Sequence, residues 1–311
     1  MKSTQQMKIK QIIQKTRPIA RKTLLFCTIV IFLAASSSLI NAIDENRRVD
    51  KMIEDFISRA KTTPSLSREG YDNYLWNYYP VPRALEYEIS DERNVFYDEA
   101  KREIGMMGDI LLNRQSAFRD IPLIYQFISY YFGGHSSLRD REGGLYETTG
   151  MNVNFSSFIQ ALFAPGYDNN VSAAQLQHLN NNYWLDKSGL SKYQPFYRHE
   201  ILSVRVKGVN EEVLDDVLGY IEYQFEHKSL YNFLFWLDME QKHYCTDLIS
   251  RAYQAAFEPE NEKKYATRLN DDGFITSVND IILSTETYLT TYMLVDKDNS
   301  IVNVYYLEDV Y

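Results

Sequence analysis

The sequence predicts an α+β fold exported behind a basic and apolar leader. Three observations point to it. Helical stripes recur at residues 46–60, 211–225 and 245–256; strand-like alternation occupies 200–207 and 300–306; and paired glycines at 133–134 and 143–144 bracket a hairpin.

Taken in order, the first 22 residues carry Lys2, Lys8, Lys10, Lys15, Arg17, Arg21 and Lys22 and no acid, and an apolar run follows over 23–35. Ser36, Ser37, Ser38 and Ala42 then offer the small residues that suit signal-peptidase cleavage before Ile43. The competing reading is an uncleaved anchor, because the stretch 23–43 matches the ~20 residues that cross a bilayer. Residues 1–42 are therefore expected to be a signal peptide or N-terminal membrane anchor. The remainder is expected outside the cytoplasm, secreted or held at the outer face of the cytoplasmic membrane, with this segment as its only membrane contact.

Net charge is −9 for the whole chain, and losing the basic leader makes the rest more acidic still. Phosphate-backbone binding needs clustered Lys and Arg, so nucleic acid is excluded as a partner. The 25 tyrosines against 13 glycines fit an aromatic-rich packed domain and argue against disorder. No Walker-type loop, dinucleotide fingerprint or internal repeat is present.

Beyond the leader, residues 46–60 place Val49, Ile53, Phe56 and Ile57 on one helical stripe. Residues 62–82, with Pro64, Gly70, Pro80 and Pro82, read as a long ordered loop. The stretch 86–107 regains a mixed helical pattern, which makes 43–107 a helical extension. Gly108 opens a short strand, and 121–132 reads as an apolar helix stopped by Gly133-Gly134. A strand then starts at His135, and Gly143-Gly144 turns it into a second one, so that His135 and Glu147 lie on neighbouring antiparallel strands. After a short helix at 155–163, residues 169–182 form an exposed, asparagine-rich insertion. Residues 200–207 form a strand, and 211–225 a helix with Val213, Leu214, Val217, Leu218 and Ile221 inward. The helix from Cys245 turns Leu248, Ile249, Ala252, Tyr253 and Ala256 inward.

Cys245 is the one cysteine left after export, Cys27 lying in the leader. A cysteine that opens a helix gains thiolate character from the N-terminal dipole, which suits a nucleophile; the other reading is a small buried hydrophobe. A thiol nucleophile needs a base, and the base needs a third group to orient it. Among the histidines, His178 lies in the polar insertion and is expected in solvent, His227 closes a charged helix, and His243 is expected to face solvent. His199 precedes a strand and stays a second candidate. His135 with Glu147 is the best acid–base arrangement. Zinc held by His243, Cys245 and Asp247 would need all three on one strand face plus a fourth ligand, and none is identifiable.

Gly108-Asp109, Gly134-His135, Tyr146-Glu147, the strand 202–207, the aromatic run from Tyr231 and the core Tyr244-Cys245-Thr246-Asp247-Leu248 come in one order. In that order they resemble the circularly permuted papain-like cysteine amidases of the YiiX/YaeF type, relatives of the NlpC cell-wall peptidases and of the lecithin:retinol acyltransferase group. The likeness runs from about residue 108 to 284. Thr246-Asp247 stands where the family has Ser-Glu, Ser136-Ser137 stands where small apolar residues are usual, and nothing before Gly108 has a counterpart.

The resemblance implies a permuted papain-like (NlpC-like) domain over 108–311, its Cys245 helix packed on a small antiparallel sheet carrying His135. It implies Cys245 as nucleophile, His135 as base and Glu147 as the orienting group. Oxyanion or substrate contacts are expected from Tyr231 and Tyr244, and no cofactor or metal. The activity implied is cysteine hydrolysis of an amide, of cell-wall peptide type. The alternatives are a lipid acyl hydrolase or acyltransferase of the same fold, and a non-catalytic surface-binding protein that kept the fold. Oligomeric state is left open.

Overall fold

The computed structural model describes residues 2–70, 73–115, 134–150, 155–167, 175–180, 184, 198–235, 239–258, 268–270 and 275–309. The expected helix at 121–132 lies outside them, as does most of the asparagine-rich stretch. The chain divides into two compact units, Met1–Glu45 and Asn46–Tyr311.

Helix α1 (Lys2–Ser58) supplies the first unit and the opening turns of the second. Within the first unit it is long and apolar enough to cross a membrane, with a mean hydropathy of 2.3 in its most apolar window. Leu24, Phe26, Phe32 and Leu33 are exposed along it.

The second unit is a mixed α+β body built on one large sheet. The strands of that sheet are β1 (Leu66–Glu69), β2 (Leu75–Val81), β5 (Ile110–Asn113), β6 (His135–Arg139), β7 (Leu145–Thr149), β8 (Gln175–Leu179), β9 (Glu200–Val206), β10 (Leu230–Tyr231), β11 (Lys242–His243), β12 (Thr287–Asp296) and β13 (Ile301–Leu307). Their order is β1-β2-β13-β12-β9-β5-β6-β7-β8-β10-β11. Pairing is antiparallel except for β2 with β13 and β10 with β11, which are parallel. Strands β3 (Phe96–Asp98) and β4 (Glu103–Ile104) form a separate ribbon. The helices are α2 (Glu86–Ser90), α3 (Phe155–Phe163), α4 (Glu211–Glu226), α5 (Cys245–Phe257) and α6 (Val278–Leu283).

The sheet is thus larger and more mixed than the small antiparallel one expected. The difference arises before Gly108, where a loop and a helix were expected. Instead β1 and β2 extend the main sheet, and only five residues at α2 are helical. Proline and glycine punctuate this region, but Leu75-Trp76-Asn77-Tyr78-Tyr79 is aromatic enough to make a strand once β13 is there to pair with it. Residues 66–81 therefore belong to the body of the second unit. Part of the expected exposed insertion is likewise the strand β8, which pairs with β7.

The helical stripes came out as expected except that Ile57, Val213 and Ala256 are only half-buried at the edge of the core. Val49, Ile53 and Phe56 are buried, as are Leu214, Val217, Leu218 and Ile221 of α4 and Leu248, Ile249, Ala252 and Tyr253 of α5. All but Leu214 join one core cluster. Asn210 caps α4 by accepting the Val213 N–H at 2.9 Å. Strand β9 is buried along its whole length because it lies between β5 and β12. Its two charged side chains are accordingly paired. Arg205 donates to both Asp109 oxygens, at 2.6 and 2.9 Å, and Glu200 accepts from Arg114 at 2.8 Å.

Candidate functional site

The site begins with the hairpin. Strands β6 and β7 pair with Leu138 opposite Tyr146 and Arg139 opposite Leu145. Side chains alternate between faces, so this register puts His135 and Glu147 on one face. Gly143 makes the turn possible at a φ of +86°, a conformation that costs glycine little. Asp140 closes it by accepting the Glu142 N–H at 2.8 Å and the Gly144 N–H. At the other end of β6, Gly134 is needed for close approach, since a Cβ there would run into the Gln115 carbonyl.

The thiol arrives from a different part of the chain. Strand β11 passes through Tyr244 directly into α5, and Cys245 is the first helical residue. Tyr244 gives no side-chain cap to this helix. Leu248, Ile249 and Ala252 anchor the helix in the core. Burial at about 1.5–3 kcal/mol for each larger side chain holds the sulfur in place.

His135 Nε2 and Glu147 Oε2 are 2.9 Å apart, with only 10% and 2% of the two side chains exposed. Nε2 faces the carboxylate, and Cys245 lies close enough to His135 for each to shift the other's titration. Burial alone would lower the His135 pKa; the Glu147 charge and the bonds to Cys245 and Glu147 outweigh it and push it up to about 9. Burial pushes the Cys245 thiol the other way, up. The bond and charge of His135, followed by the N–H and hydroxyl of Ser136, bring it below the ordinary thiol value. Ser136 Oγ is buried and, among the described residues, makes no hydrogen bond. Cys245 remains partly exposed and thus within reach of a substrate. A thiolate–imidazolium pair is the state this environment favours.

Trp184 completes the group, and no motif marks it in the sequence. Its ring stacks on His135 with centroids 5.6 Å apart, and its Nε1–H points at Glu147 Oε2 at 3.4 Å. The Arg198 guanidinium covers the indole at 4.2 Å. Tyr231 is close enough to feel Cys245. Burial first, then the charges of Cys245 and Tyr244, raise its phenol well above the usual value, so it stays protonated and able to donate.

Tyr244, the residue before Cys245, is buried, and its hydroxyl accepts the Thr276 N–H at 2.9 Å. His178 was expected in solvent. It is half-buried on β8, stacked on Tyr146 at 4.3 Å and paired with Asp140, because the stretch that carries it is a sheet strand. His243, also expected at the surface, is fully buried on β11 against Tyr220, 3.4 Å from Asp247. His227 closes α4, as read from the sequence. His199 contacts Gln115. Among the described residues, no group of His, Cys, Asp and Glu is placed to hold a metal ion. His243 and Asp247 do sit side by side, but Cys245 faces His135.

Compared with protein-family models, with curated proteins and with solved structures, the chain finds no match.

Proposed function

We propose that this chain is an exported cysteine hydrolase that cleaves an amide through a thioester, with the amide bonds of cell-wall peptides as its substrate class. The observation that carries the reading is the buried His135–Glu147 contact, with Cys245 close enough to be coupled to the same imidazole. A structural cysteine has no use for a paired imidazole and a carboxylate behind it. The order His135, Glu147, Cys245 along the chain supports a permuted papain-like domain, and the export reading supports a cell-wall substrate.

In the proposed cycle the Cys245 thiolate attacks the carbonyl carbon, and the carbonyl π electrons move onto oxygen. The Cys245 N–H at the head of α5 and the Tyr231 hydroxyl stabilise that oxyanion. The oxyanion collapses, the C–N bond breaks, and the His135 imidazolium gives its proton to the leaving nitrogen. Neutral His135 then takes a proton from water as the hydroxyl attacks the thioester. The second collapse releases the carboxylic acid and restores the thiolate–imidazolium pair. Glu147 orients the ring and stabilises its charged form.

The test is thiol labelling with a small electrophile over a range of about pH 4 to 9, in the parent chain and in His135→Ala. Fast labelling at acid pH that disappears with His135→Ala is expected. Labelling that follows an ordinary thiol in both proteins would remove the catalytic reading.

A further inference from the structure

We infer that helix α3 and the aromatic residues beside it form a bilayer-contacting surface, distinct from the membrane-length segment of α1. Phe163 is 79% exposed and Ile159 38% exposed, one turn apart on the same face of α3. From Phe155 to Tyr167 the sequence holds no charged residue. The helix is firmly seated from within: Ala161 packs on Leu230 beside Tyr231 and Phe233, and the buried Lys242 ammonium donates to the Ala161 carbonyl at 2.7 Å. The outward side chains are therefore presented by a fixed helix.

The patch continues past the helix. Tyr167 leans on His227, with centroids 5.5 Å apart, and Tyr223 lies tilted against the same imidazole at 4.0 Å. Tyr223 is 51% exposed. An apolar centre edged by tyrosines is the pattern that favours the boundary between acyl chains and headgroups. Exposed apolar patches of this kind mark a contact surface. The occupant is argued from the chain itself, because the second unit begins at Asn46, directly after a segment apolar enough to cross a bilayer. A modest apolar surface does not hold a free protein on lipid, but with residues 1–42 retained as an anchor it binds intramolecularly, and two weak signals then suffice. Tyr231, packed against this helix on its inner side, is also the phenol that senses Cys245. The surface therefore borders the candidate site, although the inference does not depend on what Cys245 does.

The test places a reporter on the patch. Phe163→Trp and, as a water-facing control on β12, Leu294→Trp are made in the full chain. Each is incorporated into phosphatidylcholine–phosphatidylglycerol nanodiscs with or without bromine on the acyl chains, and emission is taken relative to the parent chain. Expected for Phe163→Trp is quenching of the added indole by the brominated lipid together with shielding from iodide, and the reverse for Leu294→Trp. An indole at position 163 that is open to iodide and indifferent to bromine overturns the inference. Shielding from both also overturns it, by putting a protein, a second copy included, on the patch.

Discussion

The Trp184 indole lies over the His135 ring, with centroids 5.6 Å apart and planes 25° from parallel, while its Nε1–H reaches the Glu147 oxygen that His135 also holds. One side chain therefore restrains the imidazole and keeps water off the bond that orients it. In low dielectric that bond is stronger than it would be in water.

Trp184→Ala should lower kcat on the order of tenfold, leave KM nearly unchanged, and move the alkaline limb of the pH profile to lower pH. Trp184→Phe, which keeps the stacking and loses only a long donor, should recover most of kcat. A change in KM alone would make Trp184 a substrate contact.

Against burial, Glu147 and Cys245 together raise the His135 pKa to about 9 from an ordinary 6.5, so the folded chain binds that proton more tightly than the unfolded one. The associated stability is complete below the ordinary value and is lost as pH rises through about 9. For Cys245, held below its ordinary value, the stability of the charged form is present above that value and fades as pH falls through the lowered one. Activity should follow a bell whose alkaline limb lies near 9. Glu147→Gln should shift that limb to lower pH and reduce kcat by roughly 10²- to 10⁴-fold, the span of general acid–base contributions. Rate profiles against pH decide it.

Tyr231→Phe separates oxyanion binding from thiol activation. Alkylation by iodoacetamide builds no oxyanion and should keep the parent rate, whereas amide turnover should fall by about 10²-fold or more. Equal losses in both would give Tyr231 a part in activating the thiol.

Arg205 and Asp109 are paired with 1% and 0% of their side chains exposed. Arg205→Met strands a buried carboxylate and should cost about 3–5 kcal/mol in denaturant unfolding, while Arg205→Met with Asp109→Leu should regain most of that. A double variant no more stable than the single one would mean that the pair also fixes geometry. Its other partners, the Arg93 and Asn94 carbonyls, are the place to look.

Local signals carried much of the site. The glycines flanking the hairpin, the strand length between them and the helical stripe after Cys245 fix where His135, Glu147 and Cys245 lie along their elements, and each of these is readable within a dozen residues. What could not be read was nonlocal. The segment at 62–82 contains Pro64, Pro80 and Pro82, and its strand partner β13 is more than two hundred residues away. His243 and His178 were placed in solvent because their neighbours in sequence are polar, yet the packing of Tyr220 and Tyr146 encloses their rings. Trp184 has no pattern around it, and only the folded chain brings it onto His135.

Strands β2 and β13 run side by side in parallel, joining Asn77 to Asn303 across 226 residues of chain. Through β12, β13 also connects to β9 and so to the strands that hold the site. Contacts this distant close slowly and leave the intervening chain exposed meanwhile. A nascent chain therefore cannot finish its sheet until residue 307 has emerged. The strands that carry His135 and Glu147 are therefore locked into a finished sheet only by a strand made long after them.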